Sequence, residues 1–113
     1  MAVHPQARGF TYEYRKAFGR HPQPFAAQAY DAAAVVLEAI VKAVRQPEGV
    51  SRATIVAALR ETRYLGYSGP ISFDERGDLR RALYLVMKVS AREPDEWDDN
   101  RELKRLGLSP PPR

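Results

Sequence analysis

A length of 113 residues and a mass of 12.8 kDa bound the chain to one domain or a piece of one. There is no cysteine, which excludes a disulfide scaffold, thiolate zinc, iron–sulfur ligation and thiol nucleophiles, and two histidines are too few for an all-histidine zinc site. Eighteen Lys+Arg against fourteen Asp+Glu give a net charge of +4 with no run of five like charges, which describes a solvated arginine-rich surface and not a basic arm for nucleic acid.

In chain order, residues 9–18 place Phe10, Tyr14 and Phe18 at i, i+4 and i+8, one stripe of a helix, and Gly19 stands where a left-handed cap is wanted. The two prolines of residues 20–24 stop that helix and make a connector. Residues 25–45 give the clearest helix, rich in alanine, leucine and glutamate. Its polar residues Gln28, Asp31, Glu38, Lys42 and Arg45 fall on one narrow line, so Asp31 reads as a surface charge, with a hinge hydrogen bond as its other reading. The rest of the circumference is apolar and expects neighbours on several sides. After a break at 46–49, Ser51 is a suitable N-cap for a helix over 52–62 carrying Ile55, Val56 and Leu59.

Gly66, Gly69 and Pro70 then break the chain. Ile71 and Phe73 alternate with Ser72 as in a strand, residues 74–78 form a turn with Gly77 free to take positive φ, and residues 83–89 form a second strand, so that 71–89 reads as a hairpin. Acids precede bases between 93 and 105, which suits the dipole of a short helix over about 95–106, docked by Trp97, Leu103 and Leu106. The stand-alone expectation is therefore α+β: three helices, a hairpin and a short C-terminal helix, with no internal repeat.

No constellation of base, nucleophile and oxyanion donors appears. Counted from Asp74, the twelfth position of a calcium loop is Leu85, so that pattern fails. The Gly66-Tyr67-Ser68-Gly69 segment lacks the lysine and the following helix of a phosphate loop. Tyr12, Tyr14, Tyr30, Tyr64 and Tyr67 are expected in core or interface packing and not on bases. No cofactor and no metal is expected, and the acids of 93–102 are assigned to the helix dipole. Residues 25–45 are too charged to span a membrane, and the start of the chain shows no basic cap leading into an apolar run, which makes the chain cytoplasmic if expressed alone.

Three segments taken together say more. Phe10-x3-Tyr14-x3-Phe18-Gly19, then Pro24-Phe25-Ala26-Ala27-x-Ala29-Tyr30-Asp31-Ala32, then Gly66-x2-Gly69-Pro70-Ile71-Ser72-Phe73-Asp74-x2-Gly77-Asp78 resemble the C-terminal third of the type I periplasmic substrate-binding proteins, the leucine/isoleucine/valine-binding receptors of ABC importers. The resemblance covers residues 9–89. It implies an α/β fold of two Rossmann-like lobes joined by three hinge strands, which clamp a small ligand and catalyse nothing. Phe25 matches an aromatic near the ligand side chain in such receptors, and Tyr30 is a second ligand-binding candidate.

Residues 1–92 are then expected to form a partial receptor-like domain, and 93–113 an acidic and proline-rich tail. The resemblance implies a C-terminal fragment, incompetent to bind an amino-acid-like ligand outside a full-length receptor. Its 25–45 helix would expose apolar faces and self-associate. The alternative is a small homodimeric structural or interaction protein that reuses the segment. A compact monomer of this mass would expose about 6,300 Å².

Overall fold

A computed structural model describes residues 7–90, 92 and 100–109. Helix α1 is Ala7–Phe18, and its aromatic stripe packs ring on ring, Phe10 to Tyr14 at 5.7 Å and Tyr14 to Phe18 at 4.6 Å between centroids. Gly19 ends it at φ 67°, its N–H donating to the Arg15 carbonyl at 2.8 Å, the left-handed closure that glycine makes without steric cost.

Helix α2 is Ala26–Val44. Its buried residues are Ala27, Asp31, Val35, Ala39 and Ala43, a single line at four-residue spacing. That line is narrow because most of its side chains are methyl groups, which let α3 approach closely. Asp31 belongs to the buried line, so the surface charge expected of it is corrected. Val36, Leu37, Val41 and Val44 are exposed. The apolar circumference read in the sequence is real, and the described residues cover one strip of it.

Helix α3, Arg52–Arg60, begins at a capping box: the Ser51 hydroxyl accepts from the Thr54 N–H, and the Thr54 hydroxyl accepts from the Ser51 N–H. Strands β1, Tyr64–Gly66, and β2, Gly69–Ile71, form a tight antiparallel hairpin over the two-residue turn Tyr67-Ser68. Beyond it the chain turns at 74–78, closed by the Phe73–Leu79 bridge, with Gly77 at φ 89° as the turn requires. Strand β3, Ala82–Lys88, pairs antiparallel with β4, Arg101–Leu108.

Two expectations change here. The strand around Ile71 pairs with β1, and across the 74–78 turn the chain closes only over the short Phe73–Leu79 bridge with the Arg80 N–H donating to the Ser72 carbonyl, so the hairpin read over 71–89 is reduced to this closure between two two-stranded ribbons. Residues 101–106 of the expected C-terminal helix are strand, because they pair along β3, which outweighs the local charge order. The rest of that expectation, including Trp97 and the acids of 93–99, lies outside the described residues.

The core is thin. Its buried apolar residues are Ala7, Phe10, Ala27, Val35, Ala39, Ala43 and Ala58, and alanine dominates them. The chain exposes 8759 Å², well above the roughly 6,300 Å² of a compact monomer of this mass. Its radius of gyration is 16.7 Å, against about 13 Å for a closed domain of this length.

Candidate functional site

The connector between α1 and α2 delivers Phe25 to the head of α2. Phe25 takes φ 66°, left-handed and unusual for a bulky residue, and supplies no side-chain acceptor to the first turn. Its ring is 73% exposed and makes none of the ring contacts below. One and a half turns on, Tyr30 is 53% exposed, and one flank of its ring lies against Phe10 at 5.7 Å and Tyr67 at 5.6 Å. Phe10 also meets Tyr67 at 5.4 Å, so three rings from α1, α2 and the β1–β2 turn close a triangle, extended along α1 by Tyr14 and Phe18. The structure therefore separates the two candidates: Phe25 stands free, and Tyr30 is half committed to packing.

Beneath Tyr30 sits the contact that holds these parts in place. Asp31 is fully buried, at 0% exposure. Its Oδ1 accepts from the Tyr67 N–H at 3.0 Å, and its Oδ2 from the Ser68 N–H at 2.6 Å and from the Ser68 hydroxyl. Three donors from one turn meet a side chain that offers only acceptors when ionised. A Cβ at residue 66 would come closer than 3.0 Å to the carboxyl carbon and both oxygens, so glycine is needed there for the turn to reach the acid. Burial, followed by the negative charge of Asp31, pushes the Tyr64 phenol above its ordinary range.

Beside the latch, with Ser68 in its lining, a groove of about 460 Å³ opens between α2, β2 and the start of β3. Val35, Val36, Ile71, Phe73, Leu79 and Leu83 wall it. The Gln28 Oε1 lining it is buried without a hydrogen-bond partner. The volume suits a small ligand, but the walls are those of a protein core opened on one side. Among the described residues no three metal-ligating side chains gather, and no helix is long and apolar enough to cross a membrane. What the arrangement offers chemically is apolar contact at the exposed Phe25, at the head of a helix that the aromatic triangle and the Asp31 latch hold to the β1–β2 turn. The pattern of the sequence showed the aromatics. The latch and the groove depend on residues 30 or more positions apart, and only the juxtaposed Gly66 and Gly69 hinted at a close approach.

Two comparisons with known proteins give a match. The periplasmic binding protein family matches over residues 2–93. Among solved structures, the leucine-binding protein LivK of Thermotoga maritima superposes with a TM-score of 0.68 at 29% identity, covering 93% of this chain and 27% of its own. The chain thus spans about a quarter of the length of that structure. A comparison with curated proteins gives no match.

Proposed function

The chain belongs to the periplasmic binding protein family, and on that premise we propose that it is the C-terminal portion of an ABC-importer solute receptor for branched-chain amino acids or similar small ligands. Family and structural neighbour are binding proteins, not enzymes. The observation that carries the reading is the free aromatic at the head of α2, in a chain that follows a leucine-binding protein over 93% of its length. In this reading Phe25 lies against the ligand's apolar side chain, and Tyr30 contributes its exposed edge. The groove and the Leu37, Val41 and Val44 face of α2 are covered by the rest of the receptor. Residues 1–92 are the receptor-like part, in keeping with a family match that ends at residue 93, and 93–113 the acidic and proline-rich tail, part of which the match over 93% of the chain also covers. The working receptor is periplasmic, and this portion alone does not clamp a ligand. A second reading, self-association through α2 as a small homodimer, is supported by the same exposed face.

The test is a chimera in which residues 7–90 replace the corresponding segment of the LivK structure. Leucine binding measured by calorimetry is expected to persist. Phe25→Ala is expected to weaken it by about tenfold or more, the loss of a buried aromatic contact being on the order of 1.5–3 kcal/mol. A folded chimera that binds equally well with and without Phe25 contradicts the assignment.

A further inference from the structure

The two strands of the second ribbon end in unlike edges. Strand β4 carries Arg101, Glu102, Lys104 and Arg105, and its register slips between the partners of Val86 and Met87, leaving Leu103 as a bulge. Charges and bulges are the devices by which natural sheets keep an edge from pairing. Strand β3 has none of them: Ala82-Leu-Tyr-Leu-Val-Met runs uncharged to Lys88, without proline, glycine or an inserted residue. Among the described residues it pairs only with β4, so every second peptide on its other side lacks a strand partner. Leu83, Tyr84 and Val86 are exposed. A two-stranded ribbon with apolar residues on both faces is marginal in water by itself.

We infer that the open edge of β3 is a docking surface for a second copy of this chain, paired antiparallel about Leu85 to make one four-stranded sheet. The strand is self-complementary in that register. Leu85 meets Leu85 of the second copy, Leu83 meets its Met87, Tyr84 its Val86 and Ala82 its Lys88, so no like charges oppose and all seven residues pair. The axis is two-fold and closes the assembly, with the protected β4 edges outermost. This inference stands on the edge of β3 and concerns the chain on its own: Leu83 also walls the groove that the receptor reading gives to the rest of the receptor, so a second copy and the receptor would compete there.

Sedimentation of the full chain across micromolar concentrations tests it with two double variants. Both place Glu at 86, opposite Lys104 of the same ribbon, and differ only in the sign of charge at 84. In Tyr84→Glu/Val86→Glu, Glu faces Glu twice across the axis, and association is expected to weaken by about tenfold or more. In Tyr84→Lys/Val86→Glu, each Lys faces a Glu, and the dimer is expected to return. A wild type that stays monomeric overturns the inference. So does a Glu/Glu dimer as tight as wild type, or dissociation that follows Leu37→Glu/Val41→Glu on α2 and not the strand variants. Should the strand variants unfold, amide exchange in the wild type decides: protection of 82–88 that rises with concentration supports the pairing, and concentration-independent protection overturns it.

Discussion

Asp31 shows how far a single residue can escape a reading of the sequence. Its helical spacing put it in line with Gln28 and Lys42, which are more exposed, but its partners are the N–H groups of Tyr67 and Ser68. Backbone donors 36 and 37 positions away leave no mark on local periodicity. Phe10, Tyr14 and Phe18 were legible because their contacts lie within one helix. Replacing the acid leaves three donors without an acceptor, so Asp31→Ala is expected to cost on the order of 3 kcal/mol in urea unfolding. Gly66→Ala pushes the turn off the same carboxyl group. Because both substitutions break one contact, their costs should fall well short of adding in the double variant; full additivity would show that the latch does not hold the turn.

Asp74 gives a pH-dependent counterpart. Desolvation alone would raise its carboxyl, but the N–H groups of Asp78 and Arg76 and the Arg76 charge outweigh it and hold the group below its ordinary range. A carboxyl lowered in the folded state supports the turn above the ordinary aspartate range, and that support fades as pH falls through the lowered value. In an NMR titration from about pH 6 to about pH 2, the Arg76 and Asp78 amides should move together with the Asp74 carboxyl, below the unfolded aspartate pKa of about 3.9.

At the scale of elements, what could be read depended on whether an element's reasons were local. The α3 start was legible from Ser51, because a cap needs only residues three apart. Ser51→Ala is expected to lower stability by about 1 kcal/mol, measured as a shift in the urea midpoint at unchanged slope. The β4 strand was not legible. Its acids and bases mimic a helix dipole, yet the strand is fixed by a partner, β3, that sequence spacing cannot see. The bulge at Leu103 then brings Glu102 and Arg105 to one face, where they pair, holding the Glu102 carboxyl low and the Arg105 guanidinium high. The same ion pair would fit an i, i+3 helix contact, so the charges alone do not tell strand from helix here.

At the scale of the molecule, α2 carries the account. Its apolar girth was visible in the sequence as more surface than three helices and a ribbon can cover, and the structure leaves Leu37, Val41 and Val44 outside. A core made largely of alanine buries too little to close the particle, and a match over 93% of this chain to 27% of a longer protein gives that openness a reason; in the proposed reading the aromatic head of α2 is one wall of a cleft. The candidate site was legible to the extent that its residues, Phe25 and Tyr30, are local to one helix, while in the proposed reading the opposing wall belongs to other parts of a receptor. Mixing this chain with a LivK from which the matching segment has been removed, and titrating leucine by calorimetry, measures this directly. Heat is expected from the mixture and none from the chain alone. Leucine binding by the isolated 113 residues, or an associated mixture that stays silent, would contradict it.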